Sequence, residues 1–515
     1  MIGVAMWSKP GRISSTILLL LLSLQSGCTT SGIEDGSQTI IQNHPDTTVE
    51  NNSIPNTLAT LLPKPRKPSE PILTPTPDMP HAVPDIRTGE DTYIVQANDT
   101  LGKIATRFSV PLSAITNSNG IENPDYLEVG QILIIPPPDL RPVGPDFKII
   151  PDSELVHGPY NAIFDLDAWA NENSYLASFS EEVVDRPFSG LEIVQRIAQD
   201  YSVNPRLLIA ILEYQSGWVT RSKQEATPSD TPIVNDPFRE GLYKQLAWLA
   251  NNLNRGYYLW KVNALSSWVL TDGSVVPVSP TINAGTAGVQ YVMSLLLEYP
   301  EWQTAVGSNG VHSTYSQLFG YPFDYAIEPL IPAGLSQPDF QLPFEKDKVW
   351  SFTGGPHGAW GDGSAWAAID FAPPGDALGC VQSEEWVTAV AAGTITRSED
   401  GIVVLDLDGD GFEQTGWVVF YLHIETRDRI QPGQNVRSGD RIGHPSCEGG
   451  ISNGTHVHIA RKYNGEWISA DGPLPFDLDG WKSEGFGIEY DGYLRKNNAV
   501  IEAWDRRDEN NQIQR

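Results

Sequence analysis

Positive charge is scarce in this 515-residue sequence: 34 Lys and Arg stand against 64 Asp and Glu, for a net charge of −30 with His neutral. A surface of that sign repels phosphate backbones, which excludes nucleic acid as a partner, and it excludes docking on anionic membranes or anionic wall polymers through charge. Long hydrophobic runs are also missing. The longest, Ile17 to Leu24, falls far below the roughly 20 residues that cross a bilayer. No His-Glu-x-x-His helix occurs, so a thermolysin-type metal site is excluded. Cysteine is limited to Cys28, Cys380 and Cys447. What is abundant is 46 Gly and 40 Pro together with 15 Trp and 18 Tyr. That composition predicts loops, turns and strands around sizeable cores, and excludes a wholly helical or wholly disordered chain. The length suggests about three domains plus linkers and signals.

Lys9 and Arg12 precede the short apolar run, and Ser26-Gly27-Cys28 follows it. A basic start, an apolar centre and small residues at the end read as a secretory signal over 1–27. The small pair before Cys28 resembles a bacterial lipoprotein signal, with Gln25 where that family usually has Leu. The resemblance implies lipidation of Cys28, a membrane contact through the lipid, and an exported, extracytoplasmic protein. Cys380 and Cys447 then remain as an even pair in a compartment where disulfides persist, and a disulfide is expected over free thiols or metal ligands. From 28 to 90 the chain is polar and proline-rich, which predicts an extended disordered tether.

Order is expected from Thr92. Tyr93 to Leu101 reads as a short strand with Asp99 and Thr100 as helix caps, and Leu101, Ile104, Ala105 and Phe108 follow at helical spacing. A second helix over Pro111 to Asn119, a turn at Asn123-Pro124 and a strand ending at Pro136 complete a βααβ unit. This unit, 91–138, resembles a LysM module, the Asn-Asp-Thr-Leu and Val-Gly-Gln-Ile-Leu-Ile-Ile-Pro segments carrying the likeness. The resemblance implies binding of N-acetylglucosamine glycans such as peptidoglycan, with Asp99, Thr100, Leu101, Pro124 and Asp125 at the groove.

Residues 139–345 read as mostly helical. Val194, Ile197, Ala198 and Tyr201 keep helical spacing, and Asn204-Pro205 is a cap and first-turn pair. Asn204 to Trp218 resembles the helix of lytic transglycosylases that ends in their catalytic Glu-Ser, but here Gln215-Ser216 stands in that place. An amide cannot donate a proton to a glycosidic oxygen, and Glu213 lies on another face of the helix. The expectation is a lysozyme-like helical domain without catalysis.

Five of the nine histidines fall between 357 and 458. Thr455-His456-Val457-His458-Ile459 alternates as a strand, which puts both imidazoles on one face. Trp417 to His423, Ala389 to Ile395, Val436 to Gly443 and Ile369-Asp370-Phe371 are strand and turn elements around it. In that order they resemble the zinc metallopeptidases of the lysostaphin and LytM type, β-rich enzymes that cut peptide bonds in peptidoglycan. In the LytM branch the first ligand is a His four residues before the Asp, and here that place holds Trp366. Gly354-Gly355-Pro356-His357 lies thirteen residues before Asp370 and resembles the β-lytic branch, which makes His357 the expected ligand. The resemblance implies one zinc ion on His357, Asp370 and His458, with an open position as in catalytic sites. It implies His423 and His456 as unligated catalytic residues.

His444 reads as part of a structural turn. Asp406 to Gly411 mimics the start of a calcium loop, but Trp417 stands where the twelfth-position Glu belongs, so a solvated hairpin turn is expected. The fold class is therefore multidomain α+β: a βααβ LysM module, a helical lysozyme-like domain, an antiparallel β-rich LytM-type peptidase domain over 346–497, and a polar tail over 498–515. The function expected is an exported peptidoglycan endopeptidase. Its alternative is a non-catalytic wall-binding protein or hydrolase activator with a degenerate peptidase fold.

Overall fold

The computed structural model describes residues 61–515 except 65, 68, 73–74, 98, 171–173, 184–185 and 222–229. The signal over 1–27 and Cys28 lie outside the described residues. Among the described residues, no helix is long and apolar enough to cross a membrane.

The LysM-like unit consists of strands β1 (Asp91–Ile94) and β2 (Ile132–Ile135), paired antiparallel, and helices α1 (Leu101–Arg107) and α2 (Leu112–Asn119). Thr100 caps α1 by accepting a bond from the Lys103 N–H, and Gly120 ends α2 in a left-handed turn. Its own small core holds Tyr93, Leu101, Ile104, Ile115, Leu133 and Ile135. Leu101, expected at the glycan groove, is only 1% exposed, and its side chain packs in this core.

Five principal helices build the middle segment: α3 (Gly190–Tyr201), α4 (Pro205–Ser216), α5 (Leu242–Lys261), α6 (Ala284–Leu296) and α7 (Val311–Phe319). Ser189 and Glu192 form a capping box at α3, and Asn204 with Pro205 opens α4 as the sequence pair predicts. Two short hairpins, Ser180–Val183 with Arg186–Ser189 and Ser267–Val269 with Val275–Pro277, accompany them. The preceding proline-rich stretch has little regular structure but is not free. Arg66 pairs with Asp324, Asp78 with Lys148 at 2.6 Å, and His81 stacks on Trp260 while meeting its carbonyl at 2.8 Å.

The C-terminal part is built on a nine-stranded antiparallel sheet. Its strands are β3 (Val349–His357), β4 (Ala368–Ala372), β5 (Gly393–Glu399), β6 (Ile402–Asp406), β7 (Trp417–Leu422), β8 (Asn435–Val436), β9 (Val457–Tyr463), β10 (Glu466–Trp467) and, after a four-stranded side sheet, a last strand at Gln512–Gln514. The order is β8-β5-β6-β7-β9-β4-β3 and then Gln512–Gln514, with β10 on β9. The side sheet contains the hairpin Gly492–Lys496 with Ala499–Glu502. The polar tail expected from 498 is thus corrected: 499–502 and 512–514 are strands, the latter paired with β3.

Strand alternation divides the large sheet between two cores. Val403, Leu405, Val419, Tyr421, Val457 and Ile459 face the core of the peptidase-like part. Ile402, Val404, Val418, Phe420, Leu422 and Ala460 face the helical segment and share its core with Leu249, Leu253, Tyr257 and Trp260. A buried Val, Leu or Phe contributes about 1.5–3 kcal/mol relative to exposure, so this shared layer binds the two parts strongly.

Charge crosses the same junction. Arg397 on β5 meets Asp200 of α3 at 2.6 Å and Glu413 at 2.8 Å, and Lys462 reaches Glu413 at 3.3 Å. Burial opposes ionisation of Glu413, but Arg397 and Lys462 outweigh it and bring the carboxyl down to about 2. Burial first, and Lys462 next, push the nearby His157 down to about 3. The unfolded histidine takes up a proton near pH 6.5, whereas the folded one refuses it until about pH 3. Stability should therefore fall as pH drops through that window, with Glu413 adding the same sign between its ordinary value of 4.5 and about 2. Melting temperatures recorded from pH 7 to 3 should decline, and His157→Gln should flatten the upper part of the decline; a flat profile in both proteins refutes this assignment.

Candidate metal centre

Asp370 and His458 sit directly opposite each other in the β4–β9 register, and β3 brings its terminal His357 alongside. All three side chains project from the sheet face shared with the helical segment. Gly354 is required by this approach, since a Cβ there would lie 2.6 Å from Asp370 Oδ2. His357 Nε2 stands 2.9 Å from His458 Nδ1, and Asp370 Oδ1 lies 3.3 Å and 3.2 Å from them. The three are buried, and their ligand atoms all lie within 4.8 Å of one another.

The outer nitrogens explain what the inner ones must be. His357 Nδ1 is 2.8 Å from the Gly355 carbonyl, and His458 Nε2 is 3.0 Å from that of Ala359. A carbonyl only accepts, so each outer nitrogen carries the proton and each inner nitrogen presents a lone pair. Two lone pairs and a carboxylate oxygen that is otherwise without a hydrogen-bond partner thus converge on one buried point. Such a set fits a divalent cation, with imidazoles oriented from outside as metal-binding histidines generally are.

His423 and His456 flank this point. Their ring centroids are 4.4 Å apart, and His456 Nε2 lies 3.8 Å from Asp370 Oδ2. His423 follows β7 with a positive φ of 65° and directs Nδ1 to the Glu448 carbonyl at 2.8 Å. His456 directs Nδ1 to the Gly454 carbonyl at 2.7 Å. In both rings Nδ1 carries the proton given to the carbonyl, so proton exchange is left to Nε2. Burial, with His456 and His458 nearby, drives His423 down to about 3 and keeps it neutral. Burial works against the charge on Asp370, yet His357 and His456 hold it well below the usual carboxylate range. Burial likewise opposes protonation of His357, but Asp370 prevails and raises it, whereas His458 is lowered chiefly by burial.

The remaining expected residues fall as follows. Cys380 and Cys447 are joined, Cα–Cα 5.7 Å, and tie the segment after β4 to the loop bearing Glu448. His444 stands apart, with its Nδ1 on the Glu385 carbonyl and Trp386 against its ring. Asp406 accepts three backbone N–H groups of its own turn, and Asp408 and Asp410 complete an acidic cluster. Asp99 accepts from the Gln96 N–H and the Tyr93 hydroxyl, and Thr100, Pro124 and Asp125 are exposed. Gln215 meets Met293 Sδ, and Glu213 is engaged by Val219 and Thr220.

Sequence reading missed Tyr490. Its ring lies 4.2 Å from that of His357 at 20°, it is 54% exposed, and its φ is +67°. A bulky residue in the left-handed region is costly and tends to mark a site. The signal available was weak: one Tyr in a glycine-rich turn, remote in sequence.

Residues 93–136 match the LysM domain family, and residues 148–331 match the family described as LasA, N-terminal domain. The latter covers the segment whose helix resembles that of lytic transglycosylases. Protease LasA of Pseudomonas aeruginosa is 25% identical over 349 residues, spanning 62% of this chain and 75% of that protein. Beta-lytic metalloendopeptidase of Achromobacter lyticus is 29% identical over 214 residues, 39% of this chain and 51% of that protein. Among solved structures, the deep-sea M23 metalloprotease pseudoalterin aligns with 33% of this chain and 97% of its own at 23% identity and a TM-score of 0.27. The chain thus carries a LysM-family segment and a LasA N-terminal-family segment, and it is similar over longer stretches to LasA and to the beta-lytic enzyme.

Proposed function

We propose that the chain is an exported zinc metalloendopeptidase that cleaves peptide bonds of bacterial peptidoglycan and is held on the wall by its LysM module. The observation that carries the reading is the convergence of His357 Nε2, His458 Nδ1 and Asp370 Oδ1, with both imidazole protons fixed on the far side. His357, Asp370 and His458 would hold one zinc ion, which would supply a Lewis acid for the scissile carbonyl and lower the pKa of water towards about 7. His423, kept neutral, and His456 share the proton work through their Nε2 atoms. One accepts the proton of the attacking water at Nε2, faces the developing oxyanion while it holds that proton, and passes it to the departing amine, and the other orients the water. Tyr490 covers His357 and presents its phenol to the bound peptide. Asp99, Thr100, Pro124 and Asp125 contact the glycan, and Cys28 is the point of lipid attachment.

Digestion of purified sacculi separates this reading from its rivals. New amino termini and no new reducing ends are expected, abolished by chelation and restored by zinc. New reducing ends, or no digestion despite bound zinc, would overturn the proposal. Because the LysM unit has a core of its own, a chain lacking 91–138 should still fold and cut soluble peptides at an unchanged rate. Its retention on insoluble wall should fall about tenfold or more, as expected when a tethered second binding site is removed. Equal retention would assign wall binding elsewhere.

A further inference from the structure

The loop between His357 and Asp370 is held by the helical segment. The N–H of Gly363 donates to Asn251 Oδ1 of α5 at 2.9 Å, and Asn251 Nδ2 donates to Asp362 at 2.7 Å. Arg255, one turn along the same helix, meets Asp362 at 2.6 Å, and Trp360 stands edge-on to Tyr201 of α3. The fit is close: a Cβ on Gly363 would lie 1.9 Å from the Asn251 carbonyl oxygen. Within the loop, Ser364 Oγ accepts from the Trp360 N–H and donates to the Gly361 carbonyl, and the Ala359 N–H donates to the Ala365 carbonyl. This ties the anchored tip to its start. The start carries the Ala359 carbonyl that fixes the His458 ring, one residue beyond His357 and its neighbour Gly358.

We propose that Asn251, with the seat it gives Gly363, is a positioning residue for the metal centre, so that retention of the metal depends on the LasA-type helical segment as well as on the peptidase-like sheet. The proposal rests on the reading of His357, Asp370 and His458 as a zinc site. The path is short and contiguous: α5 sets the loop tip, the loop's internal bonds set Ala359, and Ala359 sets the tautomer and orientation of His458. Residues that orient metal-bound histidines typically change metal affinity by about 10–100-fold.

The test uses the full chain and a competing chelator to measure the zinc dissociation constant, alongside the melting temperature of the zinc-free protein. Asn251→Ala removes the two bonds, and Gly363→Ala wedges the loop off α5. Ser202→Ala is the control, because Ser202 Oγ donates to the Gly465 carbonyl at 2.7 Å across the same junction and its side chain makes no bond to the loop. Asn251→Ala and Gly363→Ala should each weaken zinc about tenfold or more, while Ser202→Ala leaves zinc affinity unchanged whatever it does to melting. Unchanged affinity in Asn251→Ala, or equal weakening in all three variants, would overturn the proposal while the zinc reading stands. A wild-type chain that binds no zinc would overturn the zinc reading itself.

Discussion

His357→Ala, Asp370→Ala and His458→Ala are each expected to reduce zinc from about one ion per chain to a trace and to abolish peptide-bond cleavage. Each removes one of three inward-facing ligand atoms, and the two that remain cannot close the site. His423→Ala and His456→Ala are expected to behave differently. They should keep zinc near full occupancy and lose about 10²–10⁴-fold in turnover, because their Nε2 atoms act on water and oxyanion. Metal content by mass spectrometry, read beside turnover on one soluble peptide, separates the two groups. Full zinc in His357→Ala would remove it from the ligand set, and zinc loss in His423→Ala would add that residue to it.

Arg397→Ala should be the most destabilising single change remote from the metal, by about 3–5 kcal/mol in chemical denaturation. The guanidinium lies between Asp200 and Glu413, both buried, and its removal leaves two carboxylates with only Arg196 and Lys462 as partners. Arg397→Lys should recover part of the loss but not all, since an ammonium cannot reach both carboxylates in a fork. A loss below about 1 kcal/mol for Arg397→Ala would mean that water enters the junction and screens the pair.

Much of the candidate metal centre is legible in the sequence because its signals are local. The Gly-Gly-Pro-His357 turn, Asp370 in an apolar strand and the His456-Val-His458 alternation each speak within a few residues. The geometry adds what spacing could not give, namely which nitrogen of each ring faces inward. The tail was misread for want of one turn signal. Asn497-Asn498 joins Lys496 to Ala499 with a positive φ at Asn497, a two-residue hairpin loop of the kind asparagine favours. Leu101 adjoins Asp99-Thr100, but its helical spacing to Ile104 and Ala105 points its side chain inward. The seat of Gly363 on Asn251 was beyond reach, because it joins residues 112 apart through a fold that neither segment encodes alone.

The four imidazoles of the site are all oriented by peptide carbonyls, of Gly355, Ala359, Glu448 and Gly454. Any of the twenty amino acids brings that same oxygen, so exposed positions such as 451 and 453 can change while the proton inventory of the site stays as it is, whereas His357 and the closely packed Gly355, Gly358 and Gly449 cannot. What the loops cannot tolerate is an altered path: an insertion or deletion at 355–359 or 448–454 moves an oxygen that no substitution could delete. Drift in these loops should therefore be rich in replacements and poor in length changes. A library randomised at 448 and 451–453 should retain active members far more often than one lengthened by a single residue at the same place.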